Sequence, residues 1–298
     1  MINRKLYIIG NGFDLHHNLK TRYSDFCEYV RENEIELYEF IDCYVNVDSD
    51  KDGLWKDFEN SLGTFDHKIF YGDYDNTDPT SDKFKLSDMR GLVDELSEIS
   101  ETMIDRLYEA LYDWLIKLVY PDKGYKTLAI DINSKYLTFN YTDTLNKLYS
   151  IPKENILHIH NSVETHGSDL IFGHGRIIEQ EPLFDSEGNS NYPTSDWADA
   201  KESSKMFLAH SYKDTQAIIK ENIAFFNDLI DIDEIIVLGH SLNDIDLLYF
   251  EYLHTIAYNA KWTVSYYDKS ECKGMKDRLF MVGVKYNISF IKLDNLGI

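Results

Sequence analysis

The chain has 298 residues, with 30 Lys+Arg against 52 Asp+Glu, and so carries a net charge of −22 before histidine is counted. That balance repels a phosphate backbone and, with no Lys/Arg run to offset it, argues against nucleic acid as a partner. Hydrophobic residues at 43% and aromatics at 14% supply a sizeable core and exclude a mainly disordered chain.

In chain order, residues 6–9 (Leu-Tyr-Ile-Ile) read as a first buried strand, too short for a signal peptide or a membrane span. Gly10-Asn-Gly-Phe-Asp14 then forms a glycine-rich turn. Glycine lets backbone approach a phosphate closely, although two glycines equally suit an ordinary strand-to-helix turn. A helix is expected near Asp25, capped by that residue with Glu28 reciprocating. Trp55 and Glu59, four apart, read as an anchoring Trp beside a solvated Glu on one helical face. Residues 71–82 are polar and acidic, which predicts an exposed loop. Leu92, Leu96, Ile99, Met103, Leu107, Leu111, Trp114 and Leu118 recur every three or four residues and predict one long amphipathic helix.

Residues 135–139 are the next strand candidate, ending in Thr138-Phe-Asn140-Tyr-Thr-Asp143. Asn140 sits where open α/β sheets place their ligands, and could also terminate the strand or cap a helix. Residues 156–160 are a further strand candidate, in which alternation puts His158 and His160 on the same face. One histidine suits general acid/base work. A metal pair is disfavoured because no carboxylate or thiolate follows at close spacing. Residues 170–172 are a short strand candidate, and residues 180–195, with Pro182, Gly188 and Pro193, read as a loop suited to a lid. Residues 235–238 lead into Gly239-His-Ser-Leu-Asn-Asp244, a third polar strand end, where Ser241 or Asp244 also suits a helix cap. A short helix should follow with Ile245, Leu248 and Tyr252 facing inward, then strands at residues 263–267 and 288–291. Cys27, Cys43 and Cys272 form no Cys-x-x-Cys pair, which fits a reducing cytoplasm and neither a disulfide framework nor a zinc module. No stretch reaches the roughly 20 apolar residues of a membrane span.

These elements predict an α/β fold: a Rossmann-like, mostly parallel sheet with flanking helices, in a single domain over residues 1–298, with a large helical insertion at about residues 25–120 after the first strand.

The order Gly10-Asn-Gly-Phe-Asp14, Trp55-x-x-x-Glu59, Phe139-Asn-Tyr-Thr-Asp143, the His160 segment and Gly239-His-Ser-Leu-Asn-Asp244 resembles the bacteriophage abortive infection AbiH family. At longer range it is similar to the sirtuin-like NAD-binding fold of antiphage NAD-hydrolysing effectors. That resemblance implies a sirtuin-like domain acting as an NAD glycohydrolase in antiphage defence, with NAD as substrate or ligand and no further cofactor or metal. It implies that Gly10, Gly12 and Phe13 line the NAD phosphate and ribose, and that Thr138 and Asn140 lie beside the nicotinamide ribose. Gly239, Ser241 and Asp244 would touch the adenosine side, with Asn11, Asp14 and Asp143 completing the contacts. Asn140 and His160 would be the catalytic pair. Two positions depart from the related pattern: Asn-Tyr-Asp becomes Asn140-Tyr141-Thr142, and His-Gly becomes His160-Asn161. Those departures sustain an alternative, a non-catalytic nucleotide-binding sensor or partner-binding module. The expected partners are a small-molecule nucleotide and a phage-encoded trigger or defence-system component. No nucleic acid or membrane is expected, and self-association into a homo-oligomer is compatible with the sequence.

Overall fold

Short apolar runs rich in Ile, Val, Leu and Tyr form the strands, as expected where a sheet is covered on both faces. The computed structural model describes residues 4–45, 51–78, 81–122, 124–178 and 195–296. Among the described residues one sheet forms, from β1 (Lys5–Ile9), β2 (Lys135–Thr138), β3 (Ile156–His158), β4 (Glu234–Leu238), β5 (Lys261–Tyr266) and β6 (Ile288–Lys292). Every pairing is parallel, in the order β3-β2-β1-β4-β5-β6. The winding direction therefore reverses between β1 and β4, and their carboxyl ends stand in register, Ile9 beside both Thr138 and Leu238. The expected α/β architecture, with helices flanking a parallel sheet, is what the chain adopts.

Alternation along the strands sends side chains to two cores. Leu6, Ile8, Leu137, Ile235 and Val237 meet Tyr249, Phe250 and Trp262 on one face. Tyr7, Ile9, Tyr136, Ile236 and Leu238 meet Phe13 and Leu145 on the other. Each such side chain contributes about 1.5–3 kcal/mol on burial. Tyr7 and Tyr136, paired across the ladder, stack with ring centroids 5.0 Å apart.

The chain groups into two compact units. The first, Met1–Asp25 with Tyr112–Ile171 and Asp214–Ile298, contains the whole sheet. The second is Phe26–Leu111 with Phe172–Lys213, and its described regular elements are helices. Its core is aromatic: Phe40, Phe65, Phe70 and Phe207 pack with centroids 4.8–5.7 Å apart. The expected long helix is Leu86–Ile116, with Leu92, Leu96, Leu107 and Leu111 buried. It ends before Leu118 because the amides of Lys117 and Leu118 fold back onto carbonyls three residues earlier, tightening the last turn.

Several local expectations are corrected. The second helix is Tyr23–Asn33, and Asp25 accepts the Arg22 amide at 3.0 Å. Asp25 thus reaches back as the acid of a capping arrangement instead of standing at the cap itself. Residues 71–82 are not all loop, because the helix His67–Tyr74, capped by Asp66, buries Phe70 and Tyr71. Trp55 and Glu59 lie on two separate helices, Lys51–Lys56 and Phe58–Leu62, broken at Asp57. Glu59 is not solvated: its Oε2 meets the Lys213 Nζ at 2.9 Å, with side chains 14% and 1% exposed. Residues 170–172 form no strand, since Ile171 gives its amide to the His160 carbonyl and its own carbonyl accepts the Tyr141 hydroxyl. The lid expected at residues 180–195 lies, but for Ser195, outside the described residues. Among the described residues no helix is long and apolar enough to cross a membrane.

Candidate functional site

The turn after β1 is built by contact with the turn after β4. Gly10 donates its amide to the Leu238 carbonyl at 3.0 Å, and Gly12 donates to the Gly239 carbonyl at 2.7 Å. Gly239 has φ +66°, and a Cβ there would come within 2.2 Å of the Phe13 nitrogen, while one on Gly10 would lie 2.6 Å from the His240 Cα. Glycine is needed at these places because backbone meets backbone. Phe13 fills the core beneath the turn, and the exposed Asn11 exchanges hydrogen bonds with Thr21 at 2.6 and 2.7 Å.

Asp14 lies at the floor. It is 1% exposed and accepts the Thr142 hydroxyl at 2.5 Å, while its Oδ1 is buried without a hydrogen-bond partner. Burial pushes its carboxyl up to about 6, against lowering contacts from the Thr142, Thr144 and Asn140 side chains and the nearby His158. Thr142 and Thr144 hydroxyls also meet at 3.1 Å.

Asn140 follows directly on β2. Its Nδ2 donates to the Gly10 carbonyl at 3.2 Å, its backbone amide donates to the Thr138 hydroxyl at 3.1 Å, and the residue is 6% exposed. Asn140 therefore ties the β2 turn to the β1 turn as well as facing Asp14.

The two histidines near β3 do not share a face. The strand ends at His158 and the chain then turns, with Asn161 at φ +66°. His158 directs Nδ1 to the Asn140 carbonyl at 3.0 Å and Nε2 to Asp143 at 3.4 Å. Asp143 is buried, with its Oδ2 unpartnered, and its backbone amide donates to the Tyr120 hydroxyl at 3.0 Å. His160 instead faces Asp246 at 4.0 Å and the Tyr249 hydroxyl at 3.5 Å, with its ring edge-on to Phe139. The expectation of a common face fails because alternation stops where the strand stops.

Asp246 gathers a second imidazole. The Leu242 amide donates to Nδ1 of His240 at 2.9 Å, so that nitrogen carries the lone pair and the neutral ring carries its proton on Nε2, 3.3 Å from Asp246. Phe139 separates the two rings, 5.3 Å from His160 and 4.4 Å from His240. His240 and Asp246 were not singled out from the sequence. The signal was present in Gly239-His-Ser-Leu-Asn-Asp-Ile-Asp246, where a second acid two residues beyond Asp244 begins the next helix.

The remaining candidates are dispersed. Ser241 and Asp244 are exposed, and Asp244 pairs with Arg278 at 3.4 Å. Neither caps a helix: the short 3-10 turn Asp244–Asp246 is capped by Asn243, whose side chain accepts the Asp244 amide, and Asp246 stands at the start of the helix Leu247–Ile256. Gly239 donates its own amide to the buried Ser265 hydroxyl at 2.9 Å.

The carboxyl edge of the sheet thus assembles two carboxylate–imidazole groups, Asp143 with His158, beside the acid Asp14, and Asp246 with His160 and His240. Within this unit no lysine or arginine is buried among the described residues. Such a site can hold and move protons and favours positive charge on a bound group.

No curated protein and no solved structure matches the chain significantly. The family model described as "Bacteriophage abortive infection AbiH" matches residues 6–266, from β1 through the end of β5 and so across every strand end described above. The chain belongs to the AbiH family.

Proposed function

We propose that this chain is an abortive-infection effector that hydrolyses the nicotinamide glycosidic bond of NAD or a related nucleotide at the carboxyl edge of its sheet. Membership of the AbiH family gives the role in bacteriophage abortive infection. The reaction class rests on one observation: the buried charged groups of the edge are carboxylates and imidazoles, with no buried lysine or arginine beside them among the described residues.

Cleavage of that bond passes through an oxocarbenium-like ribosyl group, and nicotinamide leaves as a neutral base with the bonding electron pair. Water then adds to the anomeric carbon and gives up one proton. Carboxylates near the ribose favour the positive charge as it moves from the pyridinium to the sugar. Phosphoryl transfer would instead call for buried cations facing the phosphates. In this reading His160 accepts the proton of the attacking water, Asp246 faces its ring, and Asn140 orients a ribose hydroxyl or the water.

A second reading, a nucleotide sensor without turnover, is favoured by the engagement of the Asn140 amide with the Gly10 carbonyl. Incubation of the purified protein with NAD, with and without phage lysate, separates the two. Nicotinamide release that disappears in Asn140→Ala supports the hydrolase. NAD binding without release supports the sensor, and neither binding nor release overturns both.

A further inference from the structure

We propose that Asp14 is the positioning residue of this site, holding the turn at residues 140–144 through the Thr142 hydroxyl, which in turn meets that of Thr144, and releasing or tightening it with its own proton. The inference rests on the glycosidic-bond reading for what Asn140 does, and on the structure alone for what Asp14 does.

A carboxyl taken fully out of water is expensive unless its oxygens are satisfied. Asp14 is 1% exposed, and its Oδ1 has no hydrogen-bond partner. Core packing alone would be better served by an apolar residue, as at Phe13 next to it. The contacts that Asp14 does make converge on one segment. Thr142 donates to Oδ2, the Thr144 hydroxyl meets that of Thr142, and both Thr144 and Asn140 lie close enough to favour its ionised form. This segment carries the orienting amide of the proposed reaction. The Thr142 hydroxyl can donate to Asp14, whereas a carboxylate there would repel it.

The titratable groups facing Asp14 come from three elements. His158 stands on β3, Asp143 on the same turn as Thr142, and Tyr120 on the segment after the long helix. Burial and the neighbouring carboxylates push the Tyr120 hydroxyl well above its ordinary range, so it stays protonated. His158 is the facing group whose charge favours the ionised form of Asp14. When Asp14 is ionised, Oδ2 is a strong acceptor for Thr142 and the turn is held; when it is protonated, that bond weakens and the turn that carries Asn140 loses one of its ties.

The test follows backbone amide signals of residues 140–144 by NMR between pH 4.5 and pH 8 (about the span in which a raised carboxyl and a histidine both titrate), in wild type, Asp14→Asn, His158→Gln and Thr142→Val. These signals should titrate with a midpoint near 6 in wild type and lose that step in Asp14→Asn. The step should persist but move upward in Thr142→Val and in His158→Gln, because each removes an interaction that favours the ionised form. A step that survives in Asp14→Asn, or vanishes only in His158→Gln, overturns the proposal, as does a wild type with no step. Should Asp14→Asn not fold, an unmoved midpoint in both other variants overturns it. Nicotinamide release measured alongside keeps the two readings apart. A loop titration without release sinks the reaction and leaves the positioning role, and release without the titration does the reverse.

Discussion

The Gly12 amide donates to the Gly239 carbonyl at 2.7 Å, which locks the turn leaving β1 to the turn leaving β4 at the point where the sheet reverses its winding. Asp14, Asn140, His158 and His240 stand on or just after these turns and the β2 and β3 ends beside them, so the closeness of two backbones bears on the geometry of the site.

Substituting Gly239 should therefore be costly. Gly239→Ala places a Cβ within 2.2 Å of the Phe13 nitrogen at a residue with φ +66°. A loss of at least about 2 kcal/mol is expected from strain and overlap together, read as a fall in the urea midpoint with an unchanged slope. A midpoint equal to that of wild type would show that the turns can separate freely.

Asn140→Ala and His160→Ala should each reduce nicotinamide release by at least about 100-fold while the circular dichroism spectrum is retained. His158→Ala should be milder, since its imidazole faces Asp143 and not the His160 group. Equal losses in all three would place the base on the other side of the site.

The raised carboxyl of Asp14 makes a signed prediction for stability. Its folded value, about 6, lies above the ordinary 3.8, so its contribution is fully present below about pH 4 and is lost as pH rises through 6. Asp14→Asn should thus gain on wild type between about pH 4 and pH 7, by on the order of 3 kcal/mol. His17 has the opposite sign, because burial lowers it from 6.5 to about 4 and its contribution is lost as pH falls from 6.5. Comparing variant with wild type at each pH cancels that second dependence. A melting-temperature difference flat across this range would contradict the buried, raised acid.

In the second unit, removing one partner of the Glu59–Lys213 pair leaves the other charge buried. Glu59→Leu should cost about 3–5 kcal/mol, and adding Lys213→Met should restore much of it, because a well-packed apolar pair avoids the desolvation penalty. Additive losses in the double variant, measured by denaturant unfolding, would show that the two residues act independently.

Much of this protein was legible in the chain itself. Apolar runs such as residues 6–9 and 235–238 marked strands buried on both faces, and the leucine spacing from Leu92 to Leu111 marked the long helix, because periodicity reports burial directly. The polar strand ends at Asn140 and Gly239 were visible for the same reason: amides, histidines and glycines are unusual where an apolar run stops. What periodicity could not give was anything beyond the end of a strand. His158 and His160 looked equivalent, but the strand ends at His158 and the chain turns over residues 158–161, so the two face different carboxylates. Asp14 and Thr142, 128 positions apart, become partners only because β1 and β2 lie side by side. Glu59 looked solvated until Lys213 met it across 154 positions. The sequence by itself determined the α/β class, the strands of the sheet apart from the extra one expected at residues 170–172, and the family, since these follow from local composition and order. Only the tertiary structure decided which acid faces which imidazole, because such pairings depend on long-range register and on where each strand ends, neither of which is encoded in local spacing.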